Sequence, residues 1–497
     1  MELLLIVSQQ PFLKPERIHN MNSRLGTVFY TNNSKYFYDS GTGRVISCSD
    51  NEAYELGKHL EGKLSIDDLD SNIRKFIEEN NLLRKPINQR FDIPSKEEFK
   101  NLLKGSCEQI IIELTEDCNL RCGYCIYNEH HPDFRGFTKN SIDFNTAKET
   151  IDYLLKDYKG NEFNLTFYGG EPLIKFNLMK KIIDYTIDTY KNIKISVSFT
   201  TNLTLLTEEQ IEYFKNIDAF RVSLMVSLDG PSSIHDNYRR DIKSRPTHNI
   251  VESNFKELVN KFYNKEENRT LSINCVLTPP YNVDKFDELD NYFYNTLNIP
   301  KDMNLNYTYV DSGNMVYDID QDYEYKSLEN YQVDKVNDDE KNYYPYLIAK
   351  KIYRMNNRRV TQDKDLIETI GLHGNCIPGK RRLYLQTDGN FRICEKTGNA
   401  VSIGDYKNGY YFDKIYKYYY EDYVKYFKDL CSNCWASDLC DICYDLVMDE
   451  KGIKDNLDEK LCPMIREYLK EDLSQYFEII EHNPNYIDEI LGKYSFS

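Results

Sequence analysis

Three cysteines lie within eight residues of the chain, in the run Cys118-Asn-Leu-Arg-Cys122-Gly-Tyr-Cys125. This C-x3-C-x2-C spacing allows three thiolates to bind three corners of an iron–sulfur cube, and it leaves the fourth iron corner open. An open corner is what a catalytic cluster needs, just as catalytic zinc keeps an open position. A zinc loop or unrelated free cysteines are the alternatives. The spacing therefore favours a catalytic iron–sulfur site.

A second cysteine group lies nearer the end of the sequence. Cys376 and Cys394 come first, with Gly389 between them. A C-x2-C-x5-C-x2-C run and one more cysteine complete the group: Cys431, Cys434, Cys440, Cys443 and Cys462. Four cysteines alone would suit a structural zinc, but one zinc ion cannot use seven. Ten of the thirteen cysteines fall in these two groups, which indicates soft-metal or iron–sulfur chemistry in a reducing compartment.

The elements that must position the first cysteines follow an alternating pattern. Strand-like runs recur at residues 109–114, 163–167, 194–199, 220–228, 271–277 and 304–310. Helical patterns lie between them at residues 146–158, 176–190, 208–214, 248–262 and 284–297. Such alternation predicts a parallel sheet with right-handed crossovers. Six units fit a partial or complete α/β barrel.

Each of the first four runs ends in a distinctive polar element. The first leads into the cysteine loop, and the next three lead into Gly169-Gly170-Glu171-Pro172, Thr200-Thr201-Asn202 and Ser227-Leu228-Asp229-Gly230. Any one of them could be a simple turn. Functional groups collect at the C-terminal ends of barrel strands, so the four together predict one shared ligand site.

The rest of the chain has a weaker pattern. Residues 1–90 contain short strand-like segments at 3–8, 27–31, 36–38 and 45–48, and helical patterns at 51–61 and 65–80. They predict a three-stranded sheet followed by a winged-helix-like helical part, with a polar linker at about 85–98. Residues 311–370 read as a bridging segment. From residue 371 onward the periodicity is weak, so we expect metal rather than a large core to organise this part.

Composition excludes several classes of protein. The 497 residues carry a formal charge of −17 and are 40% hydrophobic, which is too apolar for disorder and too polar for a membrane protein. No stretch has the roughly 18 uncharged apolar residues of a membrane span, and the N-terminal apolar run lacks the basic flank of a signal peptide. A net acidic chain is repelled by nucleic acid. We therefore expect a cytoplasmic protein with no membrane or nucleic-acid partner.

The cysteine spacing and the Gly-Gly-Glu-Pro motif together resemble the radical SAM superfamily. The resemblance implies that Cys118, Cys122 and Cys125 hold a 4Fe–4S cluster whose open iron binds S-adenosylmethionine (SAM). Reduction then cleaves SAM and yields a 5′-deoxyadenosyl radical that abstracts a substrate hydrogen. The three cysteines are the catalytic residues on this interpretation.

The same resemblance implies several contacts to SAM. Gly169, Gly170 and Glu171 would contact the methionyl amino group, and Tyr124 would lie near the adenine. Candidates for the ribose or carboxylate are Asn202 and Ser227. Arg239 would pair with the SAM carboxylate, which suits the fork of a guanidinium; a surface salt bridge is the alternative for this arginine.

The second cysteine group resembles the SPASM extension of radical SAM peptide-modifying enzymes, which carries two auxiliary 4Fe–4S clusters. The resemblance assigns Cys376, Cys394 and Cys443 to the first auxiliary cluster. It assigns four ligands to the second: Cys431, Cys434, Cys440 and Cys462. Two residues separate Cys440 from Cys443, where the family usually has three. No fourth ligand lies between Cys376 and Gly389. This suggests that the first auxiliary cluster has an open iron, which a substrate thiolate can occupy.

Residues 1–90 resemble, in the order of strands and helices, the PqqD-like element that recognises precursor peptides by adding them to a sheet edge. The predicted fold is therefore α/β. It has a partial (β/α)6 TIM barrel at 105–310, an N-terminal PqqD-like domain at 1–90, a bridging segment at 311–370 and a C-terminal SPASM domain at 371–497.

These resemblances imply a peptide maturase with SAM and three 4Fe–4S clusters as cofactors. It would install thioether crosslinks, as in sactipeptides and ranthipeptides, in a cysteine-containing precursor peptide bound through its leader. An external flavodoxin- or ferredoxin-like protein would donate electrons. Alternatives with the same chemistry are a carbon–carbon crosslinking maturase and an anaerobic sulfatase-maturating enzyme. A non-catalytic, zinc-containing peptide-binding scaffold is the alternative from another class.

Overall fold

The computed structural model describes residues 21–131, 135–300, 303–310, 325–337, 346–357, 366–373 and 376–493. The predicted strand at 3–8 and much of the predicted bridging segment lie outside the described residues. The described N-terminal part begins with an antiparallel sheet of three strands in the order β1-β2-β3: β1 Gly26–Tyr30, β2 Lys35–Asp39 and β3 Arg44–Cys48.

Two helices follow this sheet, α1 Asp50–Leu60 and α2 Ser71–Glu79. Helix α1 begins at a capping box, in which Ser49 accepts a bond from the N–H of Glu52 and the Glu52 carboxylate accepts one from the N–H of Ser49. The predicted strands and helices between residues 27 and 80 are therefore present. The PqqD-like assignment of this part stays a prediction.

The predicted polar linker is wrong as a description of residues 85–91. Lys85 is only 2% exposed and Gln89 is fully buried. Strand β4 Arg90–Phe91 pairs in parallel with β11 Thr369–Ile370, and the Gln89 amide donates to the carbonyl of Ile367 at 2.6 Å. Polar composition misled the prediction because these long side chains bind backbone carbonyls of distant segments instead of water. Helix α3 Lys96–Leu103 follows.

The centre of the fold is a sheet whose first six strands are parallel neighbours in chain order. The strands are β5 Gln109–Thr115, β6 Glu162–Gly169, β7 Lys194–Thr201, β8 Arg221–Ser227, β9 Arg269–Leu277 and β10 Asn304–Tyr309. The helices between them are α4 Phe144–Leu155, α5 Phe176–Thr189, α6 Glu208–Asn216, α7 Ser232–Tyr238, α8 His248–Lys261 and α9 Val283–Asp290, which continues as a π-helix at Asn291–Thr296. The predicted alternation is confirmed, and α7 is the helix that the pattern did not reveal.

The sheet extends beyond the predicted strands. Strand β12 Arg382–Leu385 pairs in parallel with β5, and three antiparallel strands follow it: β13 Asn390–Arg392, β14 Gly404–Asp405 and β15 Gly409–Tyr410. The ten-stranded order runs from β10 to β15 without closing on itself among the described residues, so the barrel is partial.

Leu383, Leu385 and Phe391 are fully buried, so the expectation of little core after residue 371 is wrong. Strands of two to four residues are too short to give a period.

Helices complete the described C-terminal part. They are α10 Leu328–Asn337, α11 Tyr346–Asn357, α12 Phe412–Tyr416 with a π-helix at Lys417–Glu421, α13 Asp422–Ser432, α14 Tyr444–Val447, α15 Leu457–His482 and α16 Tyr486–Lys493, with the strand pair β16 Met448–Asp449 and β17 Gly452–Ile453 before α15. A shared core joins this part to the N-terminal sheet: Phe29 lies 5.6 Å from Phe477 and Tyr38 lies 6.1 Å from Trp435, ring centre to ring centre. The two ends of the described chain therefore pack together.

Candidate active site

The loops that follow β5 and β6 are joined through their backbones. The N–H of Gly170 donates to the carbonyl of Thr115 at 2.8 Å, and the N–H of Glu171 donates to that of Asp117 at 2.9 Å. A Cβ at Gly170 would lie 2.1 Å from the Asp117 oxygen, and one at Gly169, where φ is +127°, would lie 2.2 Å from the Thr115 oxygen. Only glycine allows this approach. The two glycines therefore hold the Gly-Gly-Glu-Pro loop against the start of the cysteine loop.

Glu171 connects the ends of two strands. Its side chain is 1% exposed and its carboxylate accepts bonds from the N–H of Leu173 at 3.0 Å, the Thr201 hydroxyl at 2.8 Å and the N–H of Asn202 at 2.8 Å. Burial raises the pKa of this carboxyl, and these donors oppose the rise. Leu173, Thr201 and Asn202 occupy the Glu171 carboxylate, so the backbone groups of this part of the loop are the ones that can bind a ligand.

The cysteine loop is held on its other side by Asn202 and by the end of α7. The Asn202 amide lies 3.8 Å from the Cys118 sulfur and donates to the side chain of Asn119 at 3.0 Å. The N–H of Gly123 donates to the carbonyl of Tyr238 at 3.0 Å. Burial raises the pKa of Cys125 to about 12, and the charge of Cys122 is the second largest cause of this rise. Binding of iron to these thiols would therefore have to displace protons.

Arg239 is buried, at 6% exposed, so the surface salt bridge that was its alternative is wrong. Its Nη1 donates to the Tyr124 hydroxyl at 2.9 Å, and this hydroxyl in turn donates to Asp229. The Nε atom of Arg239 is buried and has no hydrogen-bond partner among the residues that the structure describes. A buried guanidinium with a free donor close to the cysteines is suited to an anionic ligand group.

The sequence reasoning gave no individual role to two residues of this site, although Asp229 lies in one of the predicted polar elements. Asp229 is 2% exposed, binds Tyr124 and accepts a bond from the N–H of Val276 at 3.0 Å. His235 accepts a bond from the N–H of Asp229 at 3.3 Å, and burial and the charge of Arg239 lower its pKa to about 2, so it is neutral. The Asp-Gly pair after β8 was the available signal, but such pairs are also common turns.

A second polar network, also missed, lies beside the cysteine loop. Glu113 at the end of β5 accepts a bond from the Tyr127 hydroxyl and lies 3.9 Å from the guanidinium of Arg135. Arg135 also donates to the Tyr384 hydroxyl at 3.3 Å and to the carbonyl of Glu395. Glu395 directly follows Cys394, so this network spans the space between the two cysteine groups. Its members are too far apart in sequence for spacing to reveal them.

Some of the seven later cysteines influence one another electrostatically, while their division into the two sets that the SPASM resemblance implies stays a prediction. We call Cys376, Cys394 and Cys443 the set of three. Burial raises the pKa of Cys394 to about 12, and the nearby charge of Cys443 raises it further. Burial also raises the pKa of Cys443, and the charge of Cys376 adds to that rise.

The remaining cysteines form the set of four. Burial raises the pKa of Cys431, and the charges of its three neighbours raise it further: Cys434, Cys440 and Cys462. Within the part of the chain that the structure describes, no three His, Cys, Asp or Glu side chains are grouped to hold a single metal ion.

The central sheet and the loops at its strand ends match one known family model. The family model of the Radical SAM superfamily matches residues 112–293, which include the three cysteines of the first group and the four loops at the ends of β5–β8. The chain therefore contains a radical SAM superfamily domain, and this part of the resemblance is confirmed. The SPASM and PqqD-like resemblances stay predictions.

Curated relatives match part of the chain. The "Cysteine-type anaerobic sulfatase-maturating enzyme" of Clostridium novyi is 31% identical over 159 residues, which are 31% of this chain and 40% of that protein. The "Serine-type anaerobic sulfatase-maturating enzyme" of Bacteroides thetaiotaomicron is 29% identical over 131 residues, 26% of this chain and 31% of that protein. The chain thus spans less than half the length of these relatives.

Solved structures share the fold. The structure described as "Native anSMEcpe with bound AdoMet" has a TM-score of 0.52 and 18% identity, and the match covers 77% of this chain and 99% of that one. The predicted α/β class with a large, mostly parallel sheet is confirmed. No helix in the described ranges is both long and apolar enough to cross a membrane.

Proposed function

We propose that this chain is a radical SAM peptide maturase that installs thioether crosslinks between a cysteine sulfur and a carbon of a precursor peptide. The observation that supports the proposal is the presence of two cysteine groups in one chain, the C-x3-C-x2-C run after β5 and the seven later cysteines, which we assign to a set of three and a set of four. Sets of three leave one iron corner for an external ligand, whereas a set of four does not. On this assignment the chain would bind SAM at one site and a substrate thiolate at another.

The first site would bind a 4Fe–4S cluster through Cys118, Cys122 and Cys125. When bound, the cluster and SAM supply the 5′-deoxyadenosyl radical that removes a hydrogen from the peptide. Arg239 would donate its free Nε to the SAM carboxylate, and the backbone of residues 169–171 would accept bonds from the SAM amino group. Further candidates for contacts to the adenosine are Tyr124, Asn202 and Ser227.

The two later sets would hold auxiliary 4Fe–4S clusters. In the set of three, the fourth iron corner is suited to a cysteine thiolate of the peptide, because iron–sulfur centres favour soft sulfur ligands. The network around Glu113 and Arg135 lies between this set and the first site, so it would line the space where the peptide reacts. The overall reaction would join sulfur to carbon and consume one SAM: the carbon hydrogen would go to the 5′-deoxyadenosyl radical, the thiol hydrogen would leave as a proton, and the surplus electron would pass to the auxiliary cluster of the set of three.

Purified anaerobically, the chain should contain about twelve iron and twelve sulfide per molecule, as three 4Fe–4S clusters require. Co-expressed with a cysteine-rich peptide encoded beside its gene, it should lower the mass of that peptide by two hydrogens per crosslink. Mass spectrometry after alkylation would then show one thiol lost for each pair of hydrogens. An unaltered peptide mass, or zinc without sulfide, would contradict the proposal.

The precursor peptide would bind through its leader at β3. This strand lies at the edge of the N-terminal sheet, and most of its residues are partly exposed. An edge strand offers unpaired N–H and C=O groups to which an extended peptide can add. An external flavodoxin- or ferredoxin-like electron donor completes the proposed partners.

A peptide without its leader should be modified much more slowly than the full precursor, because it loses this edge pairing. Replacing Ile46 in β3 by proline should have a similar effect, because proline removes a backbone donor and disturbs the strand. Peptide affinity, measured by fluorescence anisotropy, and the rate of crosslinking would both be recorded. Cleavage of SAM without peptide serves as the control and should be unchanged. Equal rates with and without the leader would argue against this binding mode.

Sulfatase maturation is the second candidate, because two curated relatives are named for it. It would convert a cysteine or serine of a sulfatase peptide to formylglycine. A sulfatase-derived peptide in place of the cysteine-rich precursor would discriminate between the two.

Carbon–carbon crosslinking would also remove two hydrogens, but it would leave the number of free thiols unchanged. The family match argues against a purely structural zinc scaffold.

A further inference from the structure

Lys85 is a buried lysine that reaches the set of four. Its side chain extends from the segment after α2, and the residue is 2% exposed. The ammonium donates to the Ser437 hydroxyl at 2.7 Å, to the carbonyl of Cys434, and at 3.5 Å to the carbonyl of Cys431. A buried cation is costly unless it has compensating partners. These partners come from the backbone that presents two of the four cysteines.

The N-terminal sheet fixes the position of Lys85. The N–H of Leu83 donates to the Asp39 carboxylate at 2.8 Å, and Arg24 donates to the carbonyl of Lys85 itself. Gly41 packs so closely that a Cβ there would lie 3.0 Å from the backbone nitrogen of Lys85. The charge next to the set of four therefore comes from the segment after α2, which the N-terminal sheet holds in place, and not from the cysteine segment.

His373 contacts the same cysteine from another direction. Its Nε2 lies 3.3 Å from the Cys431 sulfur, and its Nδ1 lies within hydrogen-bond distance of the Tyr423 hydroxyl. A thiolate bound to iron has no proton, so its sulfur can only accept a bond. Nε2 must then carry the hydrogen, and the Tyr423 hydroxyl donates to Nδ1 and holds this tautomer. The histidine is 2% exposed, so water does not compete for the sulfur.

We propose that Lys85 and His373 raise the reduction potential of the cluster in the set of four, and that the N-terminal sheet thereby controls this potential. The inference rests on the proposed function, because it requires a cluster at these cysteines. A reduced cluster carries one more negative charge than an oxidised one, so a nearby cation and a donor to sulfur both favour reduction. Burial lowers the pKa of Lys85, and the nearby charges of Cys434, Asp438 and Cys431 oppose this change and favour the charged ammonium. Lys85 and His373 are positioning residues, because they act on the cluster through its cysteine ligands.

The test is a redox titration of the intact, cluster-loaded chain, followed by electron paramagnetic resonance. Lys85→Gln keeps a donor for the carbonyls but removes the charge, and it should lower the reduction equilibrium constant of one cluster about tenfold, which is about 59 mV for one electron. Lys85→Arg keeps the charge and should titrate near the wild type. His373→Leu should lower the same potential, and His373→Gln, which can place an amide donor near the position of Nε2, should recover part of the loss.

A matched control is Lys351→Gln. Lys351 is also largely buried, but it pairs with Asp472 at 2.6 Å, so its loss should destabilise the protein without moving any cluster potential. Cys434→Ser identifies which signal belongs to the set of four. Wild-type potentials in both Lys85→Gln and His373→Leu, or equal shifts of all three signals, would overturn the inference while leaving the maturase proposal intact. Iron analysis that accounts for fewer than three clusters, with none at the set of four, would overturn both.

Discussion

Replacing Cys118 by alanine should abolish the release of 5′-deoxyadenosine from SAM. Three thiolates hold the cluster at the first site, and the loss of one exposes a second iron corner, so the cluster is no longer retained in its catalytic form. Cys122→Ala and Cys125→Ala should behave alike, and each should remove about four iron atoms per chain. The measurement is reductant-dependent release of 5′-deoxyadenosine by the anaerobically reconstituted protein, analysed by chromatography.

Cys48→Ala is the matched control for these three variants. Cys48 is also a partly buried free cysteine, but it lies in β3 of the N-terminal sheet, away from the loops after β5–β8. It should keep its full iron content and cleave SAM at the wild-type rate. Retained SAM cleavage in any of the three loop variants would refute the assignment of the first site, and with it the proposed radical chemistry.

Arg239→Gln should weaken the binding of SAM by roughly 30-fold to several thousandfold. The removal of one partner of a buried charge pair costs about 2–5 kcal/mol, and the Nε of Arg239 is a buried donor that no described residue of the protein pairs with. The same change leaves the Asp229 carboxylate with less compensation, since Arg239 reaches it through Tyr124. Equilibrium dialysis of SAM against the cluster-loaded protein measures the effect.

The adjacent Arg240 provides the control, because it is exposed and donates to the carbonyl of Ser244 at 3.1 Å. Arg240→Gln should bind SAM as the wild type does. Arg239→Lys should be intermediate, because lysine keeps the charge but cannot reproduce the fork of a guanidinium. Thermal unfolding of each variant separates a loss of binding from a loss of fold. Wild-type affinity in a folded Arg239→Gln protein would show that this arginine has no part in binding SAM.

Most of the central sheet could be predicted because its signals are local. The apolar runs at β5–β10 and the helical periods between them depend on which face of each element is buried, and the sequence records that face residue by residue. The short strands β12–β15 gave no such signal, since two to four residues do not define a period. Strand β12 joins the sheet by pairing with β5, more than 260 positions earlier in the chain, and β13–β15 then pair in turn from β12.

The sequence by itself determined the cysteine spacing, the alternating strands and helices, and the polar motifs at the strand ends, because each of these is a relation between near neighbours. Only the tertiary structure decided that Arg239 is buried against Tyr124 and Asp229, and that Lys85 and His373 meet at Cys431. These contacts join segments that are distant in sequence. Whether a charged side chain lies in water or in the interior depends on which segments pack over it, and no local pattern records that packing.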